Sequence, residues 1–261
     1  MRPCDVVEHF LSRADWVDRD NTVDRVIVGD ARKEVERCIV AWMPSLAAVR
    51  AVTNKGVGLL VCHEPTFWDH LDHAPESKPR CAEKLAVICD HDLTIVRLHD
   101  SWDRWPEVGI PFAWGRFLGL GGAPAATGRA GYQHRYDIAP VPFAQFARSV
   151  AARTAALGQP MVEATGDPEA LVSKIGIGTG CATDVRAYLD MGCDCFVLCD
   201  DGTSYWRDAQ FAEDRGIPTL TVNHGTSEEP GMVTLAQYIN DELDGLCAEH
   251  LPQGCRFRLV G

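Results

Sequence analysis

The amino-acid sequence predicts an α/β fold of two related lobes, in which mainly parallel sheets are flanked by helices. Each half of the chain runs in the order strand, helix, strand, helix, strand. The halves also echo each other, because Arg50 and Gly56 in the first align with Arg186 and Gly192 in the second. Strands that alternate with helices pair in parallel and bury both faces of their sheet. The sequence therefore predicts an internal duplication.

The elements of the first lobe follow from its apolar runs and its glycines. Strand-like segments lie at residues 36–42, 58–64 and 93–100, and a helix-like segment at residues 44–53 ends shortly before Gly56. Pro65 ends the second strand and keeps Glu64 extended, so that His63 and Glu64 can both line the exit of that strand.

The second lobe repeats this order after a connecting segment. Strand-like segments lie at residues 172–178, 193–201 and 217–225, and residues 182–191 are helix-like. Between the lobes, residues 119–128 are mostly small and residues 142–157 have helical spacing with Gly158 after them. We therefore predict a first lobe at residues 1–122, a connecting segment and helix at 123–160, and a second lobe at 161–261.

Composition and charge exclude several classes of function. The 261 residues carry a formal net charge of −12 and no cluster of Lys or Arg, which argues against nucleic acid and anionic membranes as partners. No apolar run approaches the roughly twenty residues of a membrane span, and the first ten residues include charges, so we expect a cytoplasmic protein. The eleven cysteines lack metal-finger spacing and do not indicate a disulfide framework.

Polar groups follow the predicted strands at the ends where parallel sheets bind ligands. Imidazole and carboxylate together suit Zn, Fe, Mn or Co, whereas Ca or Mg sites are built from oxygens. Two metals need about five or more such ligands, and a one-metal site is the alternative. We expect these side chains to meet in a cleft between the lobes. The residues at or just after such strand ends are His63, Glu64, His99, Asp100, Asp103, Asp200, Asp201, His224 and Glu228.

Each candidate also has a structural interpretation. His63 and His99 can be core histidines that bond a backbone carbonyl, and Asp103 can end a turn or cap a helix. Glu228 lies where Thr226 and Glu229 can form a capping box at a helix N-terminus. Asp200 and Asp201 are predicted turn residues. The metal interpretation is favoured because three separate strand ends supply imidazole–carboxylate pairs.

Two further patterns have alternative interpretations. Residues 176–180 follow a strand and precede a helix like a dinucleotide-binding loop, but Thr183 stands where the third glycine of that motif belongs. A tight turn with close helix packing is the alternative, and we favour it. The tryptophans, which include Trp68, Trp102, Trp105, Trp114 and Trp206, are interpreted as core residues rather than as stacking platforms for a ligand.

The chain resembles the NIF-three-like dinuclear metal protein family, also called type 2 GTP cyclohydrolase I, over nearly its whole length. The matching blocks are Asp20-Asn21, Gly29-Asp30, CHEPTFW at residues 62–68, His99-x-x-x-Asp103, residues 176–180 and NHGTSEEPG at residues 223–231. The resemblance implies a two-lobed α/β subunit, usually in a ring-shaped hexamer, with two metals per subunit. The ligands that it implies are His63, His99, Asp103, His224 and Glu228.

The chain departs from that family at one position of the site. Many members have two adjacent histidines where this chain has His63 and Glu64, so a carboxylate replaces the second imidazole. That change adds negative charge and favours harder metals such as Mn, Fe or Mg. Asp100, next to His99, is a further candidate oxygen ligand.

The first functional hypothesis is a metal-dependent hydrolase acting on a small molecule or nucleotide, either GTP or a phosphoester. Glu64 or Glu228 is then the proton-transfer group. The second hypothesis is a non-catalytic metal carrier, an insertion factor or a regulatory ring scaffold. The third is a nucleotide-binding regulator that uses residues 176–180.

Overall fold

The computed structural model describes residues 1–72, 79–258 and 260. The chain forms two compact units. The first contains Met1–Trp105 and Met232–Gln253, and the second contains Pro106–Gly231 and the described residues from Gly254 onward. The last strand of the chain, Cys247–His250, pairs with Arg37–Ala41, so the chain returns to the sheet of the first unit after passing through the second.

The first unit is built on one sheet covered by helices. Its helices are α1 (Pro3–Leu11), α2 (Leu46–Asn54), α3 (Ala82–Asp90) and the part of α8 (His224–Glu242) from Met232 onward. Its strands are β1 (Arg25–Val28), β2 (Arg37–Ala41), β3 (Leu59–Cys62), β4 (Thr94–Arg97) and β11 (Cys247–His250). Among the described residues the sheet order is β1-β4-β3-β2-β11, and every pair except β1 with β4 is parallel.

Strands β3 and β4 are buried along their whole length, as expected for central strands of a parallel sheet. Ile39, Leu60 and Ile95 pack with Val49 and Val52 of α2 in one apolar cluster. This burial anchors the strand bodies, so the polar residues that follow them leave the sheet at defined positions.

The second unit contains the other sheet. Its strands are β5 (Ala126–Gly128), β6 (Gln133–Pro142), β7 (Glu163–Thr165), β8 (Leu171–Ile177), β9 (Cys195–Cys199) and β10 (Thr219–Val222). Its helices are α4 (Ile110–Phe117), α5 (Phe143–Thr154), α6 (Val185–Asp190), α7 (Gln210–Glu213) and the part of α8 up to Gly231. In the described part of the chain, the strand order is β5-β6-β8-β9-β10-β7.

The prediction of an α/β fold with two helix-flanked sheets is confirmed by this arrangement. In the second sheet, the three predicted strands β8, β9 and β10 are parallel. The strands around them, β5, β6 and β7, pair antiparallel and were not predicted. Their pairing is long-range, and the local apolar pattern on which the prediction relied does not report it.

Three of the tryptophans singled out in the sequence, Trp102, Trp105 and Trp114, are buried. Trp68 and Trp206 are exposed by half or more of their surface, so core packing does not account for these two. A membrane-spanning helix needs length and apolar character together, and no helix in the described ranges combines the two.

Candidate metal centre

Two histidines stand side by side where β3 and β4 end. The strands are parallel neighbours, with Cys62 opposite Arg97, so the residues just beyond them emerge at the same edge of the sheet. The rings of His63 and His99 stack with their centroids 4.4 Å apart and their planes inclined by 12°. The sheet register therefore brings together two imidazoles that are 36 positions apart in the sequence.

Asp103 completes a group of three ligand candidates, which we name the first ligand group. It lies in a 3-10 turn at Trp102–Arg104, and its backbone N–H bonds the carbonyl of His99 at 2.9 Å. Its Oδ1 is 3.4 Å from Nε2 of His63, and its Oδ2 is 3.3 Å from Nδ1 of His99. One ligand atom from each of the three residues lies within 4.8 Å of the other two. This buried imidazole–imidazole–carboxylate set fits a divalent transition metal.

His63 is fixed in orientation by its surroundings. Its Nδ1 donates to the carbonyl of Leu98 at 3.1 Å, which leaves Nε2 as the atom directed at Asp103. The side chain of Arg97, itself fully buried, donates from Nε to the carbonyl of His63 at 2.8 Å. The carbonyl of Trp42 accepts from the backbone N–H of His63 at 3.1 Å. The bond from Nδ1 to Leu98 is of the kind that selects the tautomer of a metal-binding histidine.

His99 carries a strong electrostatic bias toward its protonated form. Burial opposes its charge, but the carboxylate of Asp103 and a 3.0 Å hydrogen bond to Asp100 outweigh it and raise the pKa of His99 to about 9. Asp100 also accepts from Thr22 and Val23, and these bonds with the one from His99 overcome burial and lower the pKa of the Asp100 carboxyl. Asp100 is thus a hydrogen-bond partner of His99, and its role as a further metal ligand stays a prediction.

This shift predicts a pH dependence of metal binding. Below a pH of about 9, the metal-free protein holds a second proton on His99, and a metal must displace it to bind there. We therefore expect the apparent metal affinity to increase with pH up to about 9 and then to level off. Calorimetric titration in buffers of different ionisation enthalpy measures the released proton. An affinity that is flat between pH 6.5 and 9 would contradict His99 as a ligand.

A residue that sequence reasoning missed, Asp24, organises the loop around His99. Asp24 is buried and accepts the backbone N–H groups of His99, Asp100 and Ser101 at 2.7, 2.8 and 2.9 Å. The chain has 37 acidic residues, and nothing local marks this one, which precedes the edge strand β1. These three backbone donors and the hydroxyl of Ser101, which also bonds the Asp24 carboxylate, hold the turn that follows β4 in a single conformation.

Replacing Asp24 with asparagine should destabilise the fold by about 1–2 kcal/mol. Both carboxylate oxygens of Asp24 accept hydrogen bonds, whereas an amide has only one accepting oxygen, so a buried N–H loses its partner. Urea unfolding followed by circular dichroism measures the change. Asp15→Asn is the matched control, since Asp15 is exposed. Equal stability of the two variants would remove Asp24 from this role.

Glu64 lies beside the first ligand group. It is partly exposed, and one of its carboxylate oxygens lies within 4.8 Å of a ligand atom of His63. Its backbone N–H shares the carbonyl of Trp42 with that of His63, at 2.9 Å. Glu64 is therefore placed either to bind a metal held by His63 or to exchange protons near it.

The second unit holds His224 and Glu228, which we name the second ligand group. Helix α8 begins at His224, two residues before the capping position that the sequence suggested at Thr226. The reason is that Asp200 Oδ1, at the end of β9, accepts the backbone N–H of His224 at 2.8 Å. The spacing of four along the helix then places Nε2 of His224 3.0 Å from Oε2 of Glu228. Its Nδ1 lies 3.2 Å from Asp201 Oδ2.

The glycine loop of residues 176–180 packs against this group. A Cβ on Gly180, whose φ is +49°, would lie 2.5 Å from Nε2 of His224 and 2.6 Å from Oε1 of Glu228. A Cβ on Gly178 would lie 2.6 Å from the hydroxyl of Tyr188 in α6. Close packing thus explains both glycines and favours the tight-turn interpretation over a nucleotide-cradling one.

Within the first unit, the structure brings together the predicted residues His63, Glu64, His99 and Asp103. Within the second unit it brings together His224 and Glu228. The expectation that both groups form one two-metal centre stays a prediction.

Comparison with known proteins gives two positive results. Residues 6–251 match the Duf34/NIF3 (NGG1p interacting factor 3) family. Among solved structures, Staphylococcus aureus protein SA1388 has a TM-score of 0.83 at 16% identity, covering 100% of this chain and 99% of that one. A search of curated proteins gave no significant match.

Two other solved structures have the same fold. The protein TTHA1606 from Thermus thermophilus has a TM-score of 0.76 at 18% identity, over 98% of this chain and 100% of its own. Reduced HcgD from Methanocaldococcus jannaschii has a TM-score of 0.69 at 18% identity, over 96% and 98%. Identities this low establish the fold alone, whereas the family match spans nearly the whole sequence. The chain therefore belongs to the Duf34/NIF3 family.

Proposed function

We propose that this protein binds a divalent transition metal, Zn, Fe, Mn or Co, through His63, His99 and Asp103. The observation that carries the proposal is the first ligand group itself, in which three ligand atoms lie within 4.8 Å of one another on buried or half-buried side chains. A buried carboxylate between two stacked imidazoles is costly unless a cation or shared protons compensate its charge. Metal analysis of the purified protein by mass spectrometry tests the proposal directly.

We further propose that the second ligand group, His224 and Glu228, supplies ligands for a second metal. The support is its composition, which repeats an imidazole and a carboxylate at 3.0 Å, and the implication of the family resemblance. Titration of metal-stripped protein should then reach two ions per chain. A plateau at one ion would reduce the site to the first ligand group.

The reaction that we propose is metal-dependent hydrolysis of a small phosphoester or of the ring of GTP. When bound, a divalent metal supplies Lewis-acid activation of water near neutral pH. The role of the protein's own residues is to hold the ligands rigidly. Arg97 donates to the carbonyl of His63, and Asp24 accepts from the backbone of the loop that carries His99. Glu64 accepts or returns a proton at its carboxylate, since it is partly exposed, whereas Glu228 is nearly buried and paired with His224.

Glu64→Gln separates proton transfer from metal binding. The amide keeps the size of the side chain but has no carboxylate to take a proton, so we expect metal content near wild type and turnover lower by about a hundredfold. Metal content and the rate with the best substrate are measured on the same preparation. Loss of metal in this variant would instead identify Glu64 as a ligand in place of the second histidine.

A panel of phosphomonoesters, phosphodiesters and GTP, each assayed with Mn, Fe, Co and Zn, tests the catalytic proposal. Turnover that depends on metal and is lost in His63→Ala supports a hydrolase. A fully metal-loaded protein without turnover on any member of the panel would favour the alternative of a metal carrier, insertion factor or scaffold, which requires exchangeable metal.

We also propose that the chain assembles into a homohexamer, as the family resemblance implies. Membership in the Duf34/NIF3 family is the support for this proposal. Size-exclusion chromatography with light scattering should give six times the mass of the chain, and a monomeric mass would contradict it.

A further inference from the structure

The second unit contains a pocket with an unusual charge for this acidic chain. It has a volume of about 440 Å³, and three guanidinium groups line it, those of Arg129, Arg186 and Arg207. Asp184 and Asp208 also line it, which leaves an excess of one positive charge where the whole chain has −12. A positive concavity on an acidic protein is a local feature that favours an anionic ligand.

The two carboxylates in the pocket are already engaged. Asp208 accepts from Arg207 at 2.7 Å and from the backbone N–H of Ser204 at 2.8 Å. Asp184 accepts the backbone N–H of Arg186 at 2.9 Å, as the cap of helix α6. Both carboxylates are therefore hydrogen-bonded within the protein, which weakens their repulsion of an incoming anion.

The three arginines differ in how many of their hydrogen-bond donors are already used within the protein. Arg129 donates to the carbonyl of Ala182 at 3.0 Å, and Arg207 forms a two-pronged pair with Asp208. The side chain of Arg186 is 56% exposed, its Nη1 forms a long ion pair of 3.8 Å with Asp208, and its guanidinium carbon lies 4.8 Å from the ring centroid of Phe211, so neither contact is a hydrogen bond. Arg186 thus has donors available for a ligand, while Arg129 and Arg207 add fixed positive charge.

A second observation points to a ligand in the same pocket. Thr183 lines it and is 4% exposed, yet its Oγ1 has no hydrogen-bond partner among the described residues. Buried hydroxyls are almost always paired, so an unpaired one on the wall of this pocket is a donor that a ligand can use. A π-helical turn at Tyr205–Ala209 presents Arg207 and Asp208, and such turns are frequent at functional sites.

The pocket adjoins the second ligand group through one short loop. Gly202 lies on the pocket, and a Cβ there would overlap Oγ1 of Thr183 and lie 2.7 Å from the carbonyl of Gly180. Gly180 in turn packs directly on His224 and Glu228. Residues 180–183 therefore separate the pocket from the side chains proposed to bind metal.

We propose that this pocket binds a tetrahedral oxyanion, the phosphate group of a phosphorylated substrate. Arg186 and the hydroxyl of Thr183 are the specific donors, because guanidinium and hydroxyl groups together match the geometry of phosphate oxygens. Assignment of the phosphate to a substrate rests on the proposed function, whereas binding of the anion does not.

The test measures phosphate binding by calorimetry on the full-length protein after metal removal with a chelator, so that metal ions cannot bind the phosphate. Wild type should bind inorganic phosphate at one site. Arg186→Gln should weaken binding about tenfold, since a charge-assisted hydrogen bond is lost, and Thr183→Val about threefold. Arg148→Gln is the matched control, because Arg148 is an exposed arginine of α5 that does not line the pocket.

Binding that depends on Arg186 and not on Arg148 supports the site, whether or not the metal proposal holds. Three results would overturn it: no binding by wild type, wild-type affinity in both pocket variants, or equal weakening in Arg148→Gln. A second arm compares GMP with guanosine. Binding of GMP alone, dependent on Arg186, supports a phosphate ester as the natural ligand, and equal binding of guanosine contradicts phosphate recognition.

Discussion

His63→Ala is expected to lower metal affinity more than a hundredfold and to leave the purified protein with little bound metal. Nε2 of His63 faces Asp103 at 3.4 Å, and the ring of His63 stacks on His99, so the substitution removes the central member of the first ligand group. Loss of residues that merely support metal ligands costs roughly 10–100-fold, and loss of a ligand should cost more.

The measurement is metal content per chain together with affinity from competition with a chromogenic chelator. His91→Ala is the matched control, because His91 is exposed and takes no part in the ligand group. Far-UV circular dichroism establishes that both variants are folded. Unchanged metal content in His63→Ala would remove the basis of the proposed function.

Gly180→Ala is expected to destabilise the protein by about 2–4 kcal/mol. This free energy has two contributions, the strain of a left-handed backbone at a non-glycine residue and overpacking by the added Cβ. The φ of Gly180 is +49°, and the added Cβ would lie 2.5 Å from Nε2 of His224. The ring of His224 cannot easily move, because the backbone of His224 is held by Asp200 and its ring by Glu228 and Asp201.

Gly216→Ala isolates the backbone contribution. Gly216 has a φ of +66° and no atom within 4 Å of its added Cβ, so only the conformational cost of roughly 1 kcal/mol applies. The difference between the two variants in urea unfolding therefore measures the contact with His224 and Glu228. Equal destabilisation by both substitutions would show that Gly180 does not pack on the second ligand group.

Sequence patterns predicted the central strands and the helices α2 and α5 well. Residues 36–42 became β2 (Arg37–Ala41), residues 58–64 became β3 (Leu59–Cys62), and residues 142–157 became α5 (Phe143–Thr154) with a short turn after it. These elements are buried on one or both faces, so the spacing of their apolar residues directly reflects their packing. The flanking antiparallel strands β5 and β7 are short and half exposed, so their sequences show no such spacing.

The first ligand group was predictable because its two histidines lie directly after predicted strands. His63 and His99 each follow an apolar run, and parallel pairing then places them together. Asp24 and Arg97 were missed. Asp24 acts on backbone groups 75 to 77 positions away, and Arg97 lies inside a strand whose burial usually excludes a charge.

By itself, the sequence determined the α/β class, the order of the central strands along the chain and the residue types available to bind a metal, because these depend on local periodicity and composition. Only the tertiary structure decided which residue orients which. It placed the backbone N–H of His99 on the carboxylate of Asp24, and it packed Gly180 against His224. The physical reason is that such contacts join residues far apart in the chain, and only the register of the sheets and the packing between elements brings them within bonding distance.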